Sequence, residues 1–331
     1  MKNKQIVGID VSKSTLDAFI FKSNHLFQVA NNPAGFVRLL QESIQISGLS
    51  KDSLLFCFEN TGCYSKSLSV FLQDAGIAFY AIDALDLKRS MGLSRGKSDK
   101  KDAKAIAMYA WRRRDELVCS KLPGPVFDQL SALLSHREML IKQRTALKNA
   151  NKGHYNSYSE NEFKFLKESQ MRMIKQLSEE IKITESEIIF IINHNVELKS
   201  SYDLLLSIKG IGKILAFYLI TLTHNFTKFT DPRKFACYAG IAPFEYSSGT
   251  SVKGRTKVHP CANKQIKSLL NMAAMSSIQL PGEYQIYYLR RTADGKNKMS
   301  TLNIIRNKLI FRAFAVIKRG SIYVDLHKFA A

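Results

Sequence analysis

The chain has 331 residues, with 49 Lys and Arg against 28 Asp and Glu, a net charge of +21. A hydrophobic share of 45% excludes a disordered polycation, and the length favours two domains over one. The positive excess makes a polyanion the expected partner: DNA, RNA or an anionic membrane.

Residues 4–10 read as a first strand, apolar and β-branched, ending at Asp10. Residues 14–22 and 26–30 read as two more, and Asn31-Asn32-Pro33 as a turn. Phe36, Leu39, Leu40, Ile44 and Ile46 follow at helical spacing. Residues 54–58 form a short buried strand ending at Glu59, 64–75 a helix, 77–82 a strand and 99–114 a helix. This order predicts an α/β domain with a mixed sheet.

The middle changes character. Leu133, Leu140 and Leu147 recur every seven residues, as do Ile174, Ile181 and Ile188, with Leu177, Thr184 and Ile191 offset by three. That is a heptad seam. The polar stretch Asn149–Asn161 is expected to separate two long helices, making an antiparallel arm; an ordinary core helix pair is the alternative. From about residue 202 the chain reads as helical and basic. Gly210-Ile211-Gly212 sits between apolar segments, and 232–240 is a short helix. Residues 243–258 look like a loop, and helices are expected near 260–279 and 299–318.

No apolar run approaches the roughly 20 residues of a spanning helix. Met1 to Asp10 does not read as a signal peptide. Cys57, Cys63, Cys119, Cys237 and Cys261 contain no CxxC pair, which argues against zinc and against a disulfide framework. A reducing, cytoplasmic setting is expected.

Four carboxylates of the first domain stand out. Asp10 and Glu59 end strands, while Asp99 and Asp102 share a helix face at i, i+3. Acids at neighbouring strand ends can converge, and oxygen-only ligands suit Mg²⁺, with Mn²⁺ as a substitute. Two ions about 3.5–4 Å apart are a common device for phosphodiester cleavage. The plainer account makes Asp99 an N-cap and Asp102 a favourable first-turn charge. Arg95, Lys97, Lys100, Lys101 and Lys104 surround the helical pair. They form a surface salt-bridge network, a phosphate-gathering patch, or both.

The segment from Pro243 to Lys257 carries Ser247-Ser248-Gly249, usually no more than a turn. Here Lys253, Arg255, Lys257, Lys264 and Lys267 follow, with no acid between Ser248 and Lys267. A serine hydroxyl there could attack phosphorus, given a base or a metal to take its proton. The reach of His259 is open. Gly210 and Gly212 suggest a helix-hairpin-helix element whose backbone N–H groups approach phosphate. Ala216 would allow close helix packing. Trp111 could stack on a base, but a packed Trp is the commoner outcome. Arg290 to Arg319 form a second basic region in which Asp294 is the only acid.

Together these segments resemble the DEDD-type insertion-sequence transposases related to the Piv pilin-gene invertase, a bridge-RNA-guided serine recombinase type. Gly8-Ile9-Asp10-Val11-Ser12-Lys13 resembles the family's opening strand, and Glu59-Asn60-Thr61-Gly62-Cys63-Tyr64 its E-x-T-G-x-Y. Lys97-Ser98-Asp99-Lys100-Lys101-Asp102-Ala103 is similar to its K-[ST]-D-x-x-D-A. Gly210-Ile211-Gly212, Phe235-Ala236, Gly240 to Pro243 and Ser248-Gly249 follow in the family's order. Lys257-Val258-His259-Pro260 replaces a Lys-x-Gly pattern found in many members.

The resemblance implies a RuvC-like, RNase H-type domain over 1–120, a coiled-coil arm over 121–200 and a mainly helical transposase domain over 201–331. It implies Mg²⁺ on Asp10, Glu59, Asp99 and Asp102, and Ser248 as the nucleophile that links to DNA; the Ser-Gly match favours Ser248 over Ser247. Lys97, Lys100, Lys101, Gly210, Gly212, Lys253, Arg255 and Lys257 are the expected nucleic-acid contacts. A structured guide RNA and a homo-oligomer, dimer or tetramer, with composite active sites are implied as partners alongside donor and target DNA. Two other readings remain: a RuvC-like nuclease that uses water, and a nucleic-acid-binding scaffold without catalysis.

Overall fold

The computed structural model describes residues 4–91, 99–155, 164–248, 252–258 and 261–324. The chain divides into two compact units, Met1–Leu122 and Pro123–Ala331.

The first unit contains β1 (Gln5–Val11), β2 (Thr15–Ile20), β3 (His25–Ala30), α1 (Pro33–Ser47), β4 (Leu54–Glu59), α2 (Cys63–Asp74), β5 (Phe79–Ile82), α3 (Ala84–Met91) and α4 (Asp99–Arg112). The strands form one sheet in the order β3-β2-β1-β4-β5. β1, β2 and β3 are antiparallel neighbours, whereas β4 runs parallel to β1 and β5 parallel to β4. This order agrees with the RNase H-type sheet implied above. β1 is apolar almost throughout because it is central and covered on both faces.

Strand alternation divides the core. Val7, Ile9, Leu16, Ala18, Phe56 and Phe58 pack with Phe36 and Leu39 of α1 and Leu68 and Leu72 of α2. Ile6, Phe19, Leu55 and Cys57 face the other way, onto Ala103, Ile106, Ala107 and Ala110 of α4. α1 is bounded by local chemistry. Asn32 accepts the Gly35 N–H, Pro33 opens the helix, and Gly48 closes it in the left-handed region at φ 66°.

The second unit contains α5 (Pro125–Tyr155), α6 (Lys164–Asn193), α7 (Val196–Leu206), α8 (Lys213–Thr223), α9 (Pro232–Tyr238), β6 (Phe244–Ser248), β7 (Val252–Lys257), α10 (Lys264–Gln279), α11 (Glu283–Ala293) and α12 (Lys298–Arg319). α8 is buried nearly all round, as an apolar helix must be, and forms the centre of this core. α5 and α6 run antiparallel, since Arg137 bonds Glu185 while Arg144 bonds Ser178. Along this pair the heptad residues Leu140, Ile181, Thr184 and Ile188 are buried. Its base, at Leu130, Leu134, Ile188 and Ile192, joins the core of the second unit.

Several expectations are corrected. The segment expected to be a loop at 243–258 contains the antiparallel pair β6–β7. Its residues are polar and Gly-rich, so no apolar alternation announces the strands. The polar stretch from Asn149 continues α5 as far as Tyr155. α3 and α11 went unforeseen, α11 because its two arginines and the exposed Ile286 and Leu289 blur the apolar period. Among the described residues no helix is long and apolar enough to cross a membrane.

Candidate active site

Three elements of the first unit converge at one end of its sheet. Asp10 lies opposite Asp17 in the β1–β2 register. Ile9 pairs with Phe58 between parallel strands, so Asp10 and Glu59 are the next positions along each. By the alternation that sends Ile6, Phe19 and Cys57 to α4, Asp10, Asp17 and Glu59 belong to that same face.

The direction of α4 follows from two contacts. Lys104 Nζ lies 5.5 Å from the centre of the Phe19 ring, and Phe19 is paired with Gly8. Further along, Trp111 stacks on Phe21 at 4.9 Å, and the Phe21 N–H bonds the Ile6 carbonyl. As α4 advances it passes back toward the start of β1, so its own start lies toward Asp10. That start carries Asp99 and Asp102, and Asp102 is one turn before buried Ile106.

Gly8 permits this approach. A Cβ there would stand 2.5 Å from both the Ala103 carbonyl oxygen and the Ala107 nitrogen. Any larger residue would lift α4, and Asp102 with it, from the sheet. Gly8 stands in the opening-strand motif without a role of its own there, and Asp17 is a site residue that motif reading passes over. Asp17 is 4% exposed, and Gln28 Nε2 donates to both of its carboxylate oxygens at 3.1 Å. An acid inside the otherwise apolar strand TLDAFI was the available signal.

Among the described residues no three His, Cys, Asp or Glu side chains already stand as a metal cage. The Asp99 and Lys100 side chains are outside the described set, and Lys97 lies outside the described residues altogether. The donor set is all carboxylate oxygen, which fits a hard divalent cation such as Mg²⁺. Lys101 is exposed on α4. Trp111 is held between Phe21 and the Arg114 guanidinium, 4.3 Å from its ring, so it packs rather than presenting a free face.

In the second unit Ser248 is the last residue of β6 and pairs with Val252. Ser247 pairs with Lys253, Tyr246 with Gly254 and Phe244 with Lys257. The backbone therefore places Ser248 at the far end of the hairpin, and Lys253, Arg255 and Lys257 along its return strand. Gly249 and His259 lie outside the described residues.

The two glycines of the 210–212 turn differ. Gly210 has φ 92°, and a Cβ there would fall 1.9 Å from Ser277 Oγ of α10. Its glycine requirement comes from packing. Gly212 opens onto empty space and caps α8 without a side-chain bond. Of the pair, only Gly212 leaves room for a ligand. Ala216 is fully buried, in keeping with close helix packing.

A five-stranded mixed sheet with acids gathered at one end, followed by a helical unit with a serine-tipped hairpin, suits a nucleic-acid-processing protein. Residues 7–159 match the family model DEDD_Tnp_IS110, described as a transposase. Residues 202–289 match the model described as Transposase IS116/IS110/IS902 family. The two matches together span well over half of the chain, which belongs to this transposase family.

The pilin gene-inverting protein of Moraxella lacunata is 28% identical over 329 residues, 96% of this chain and 97% of that one. An uncharacterized 43.6 kDa protein of insertion element IS110 from Streptomyces coelicolor is 30% identical over 132 residues, 40% of this chain and 32% of its own. A solved structure of T. thermophilus RuvC in complex with a Holliday junction substrate is similar at 15% identity and a TM-score of 0.26. It covers 36% of this chain and 99% of that one.

Proposed function

We propose that the protein is a site-specific DNA recombinase of the transposing or inverting kind, acting through a covalent serine–DNA intermediate. The observation that carries this reading is the gathering of β1, β4 and α4 at one end of the sheet, with Asp10 and Glu59 in adjacent register and α4 starting toward them. The full-length likeness to a pilin gene-inverting protein supports it.

In this reading Asp10, Glu59, Asp99 and Asp102 hold Mg²⁺, which when bound neutralises phosphate charge and favours the ionised serine. Ser248 Oγ attacks phosphorus. The Oγ–P bond forms, the P–O bond to the departing strand breaks, and the released oxygen takes up a proton equal to the one serine loses. Rejoining runs the same step backward, so the bond energy is kept in the phosphoserine link. The basic residues Lys97, Lys100, Lys101, Lys253, Arg255 and Lys257, with the backbone at Gly212, grip phosphates. Basic clusters in both units suit two polyanions, DNA and a guide RNA that selects sequence by pairing.

The α5–α6 pair serves as a coiled-coil arm that joins protomers. Exposed apolar side chains along it support this, including Phe165 at 78% and Ile183 at 60% exposure. A cytoplasmic, DNA-associated protein follows from the same reading.

The test is chemical. Protein incubated with Mg²⁺, guide RNA and DNA carrying the element's ends is expected to give a denaturant-stable protein–DNA adduct. Ser248→Ala should abolish it, as should a chelator. Normal cleavage by Ser248→Ala would sink the serine mechanism in favour of water. Undiminished recombination by Asp10→Ala or Asp102→Ala would favour a non-catalytic scaffold.

A further inference from the structure

The base of the β6–β7 hairpin holds a cation with no assigned task. Arg306 of α12 is 6% exposed. Among the described residues its side chain makes one long hydrogen bond, from Nη1 to Asn303 Oδ1 at 3.3 Å, and its Nε is buried with no acceptor there. Among the described residues no carboxylate pairs with it. Burial pushes its pKa downward from the ordinary arginine value. A guanidinium taken out of water without a partner is costly, and such groups in native proteins are normally paired.

Its position gives the cost a purpose. Asn303, one turn earlier on α12, donates from Nδ2 to the Ile241 carbonyl at 2.9 Å. Two turns later Phe314 meets Phe235 of α9, with ring centres 5.7 Å apart. Arg306 falls between these contacts, alongside the chain that runs from α9 to the start of β6. The exit of the hairpin returns to the same place. A Cβ on Gly240 would lie 3.1 Å from Val258, just past β7, and 3.6 Å from Lys267 Cδ of α10. Both ends of the hairpin are thus seated at Gly240–Ile241. Lys267 crosses that point and has no acid partner among the described residues.

We infer that Arg306, assisted by Lys267, is a receptor for a backbone phosphate of the DNA strand that the β6–β7 hairpin engages. An arginine fork matches two phosphate oxygens, and a buried one gains more from that charge than an exposed one. The phosphate is not the one Ser248 attacks. β6 rises about 3.4 Å per residue, so Ser248 stands roughly 14 Å from Phe244 at the base. The site anchors the strand while the hairpin tip acts on it. This deepens the proposed recombinase reading and rests on it only for the identity of the strand.

The experiment compares the full-length protein with Arg306→Met, an apolar replacement of similar length. Each is titrated with a short mixed-sequence DNA duplex over a range of salt, and each is melted with and without that duplex. Arg306→Met is expected to melt no lower than the wild type when free. It should bind DNA about tenfold or more weakly and lose about 0.9 from the slope of log K against log salt. A lower melting temperature with unchanged DNA affinity and salt slope would overturn the proposal, since the arginine would then be structural. A loss of affinity for the guide RNA alone would also overturn it. So would a melting shift with inorganic phosphate that Arg306→Met removes without weakening DNA binding. The serine chemistry is read separately, from the covalent adduct, so either reading can fail without the other.

Discussion

Gly8 has no side chain, and α4 occupies the space this leaves. A methyl group at Gly8 would meet backbone atoms at 2.5 Å, which no rotamer change relieves. Gly8→Ala is expected to cost about 1–3 kcal/mol, read as a lower denaturant midpoint, because overpacking against a rigid helix displaces it. The same shift moves Asp102, so DNA cleavage should fall by more than the loss of folded protein explains. Asp17 raises a different question at the same scale. It is buried, and among the described residues its carboxylate receives hydrogen bonds from Gln28. Gln28→Met is expected to cost about 1–3 kcal/mol, the penalty for a buried acceptor left without its donor. An unchanged melting temperature would show that water reaches Asp17 instead.

Between elements, one buried acid links both helices of the α5–α6 pair to α8 in the core of the second unit. Glu185 of α6 receives bonds from Arg137 of α5 at 2.8 Å and from Lys213, the first residue of α8, at 2.7 Å. Burial pushes its pKa up, but the bonds from Lys213 and Arg137 outweigh this and hold it below the usual glutamate value. A depressed carboxylate pKa contributes stability that is present above the unfolded-state value, about 4.3, and lost as pH falls through the folded value. Stability of the α5–α6–α8 junction should therefore decline in acid below about pH 4. Glu185→Gln should flatten that part of the profile in a pH series of unfolding curves. It should also cost about 2–3 kcal/mol at neutral pH, below the full cost of breaking a buried pair because Lys213 is half exposed.

Over the whole molecule, the +21 charge and the exposed apolar arm make separate predictions. Charge predicts steep salt dependence. If about 6–10 phosphates are contacted, DNA affinity should fall by roughly 10³–10⁵ between about 50 and 200 mM salt. A flat profile would show that the basic excess serves solubility. The arm predicts self-association. Met173 and Ile183 are exposed on α6, and Met173 borders a groove with Leu147 and Leu177. The pair Met173→Glu and Ile183→Glu should leave the helical content intact and shift sedimentation toward smaller species. Unchanged sedimentation would remove the arm from assembly.

By itself the sequence determined the elements whose pattern is local. β1, β2, β4 and β5 were legible from apolar runs, and α5 and α6 from heptads, because period and burial are written residue by residue. The acids at strand ends and the Ser-Gly pair were legible as short motifs. Tertiary structure decided what depends on partners far along the chain. The β6–β7 hairpin is polar, and its strands are defined only by each other. Gly210 reads as a phosphate turn until Ser277 of α10, 67 positions later, is found filling its space. Asp17 joins the acid end of the sheet only through the register that sets it opposite Asp10. Arg306 looks like one more basic residue in a basic helix, and burial with no carboxylate partner among the described residues sets it apart. A charge count sees sign and spacing, whereas the cost and use of a charge depend on what surrounds it after folding.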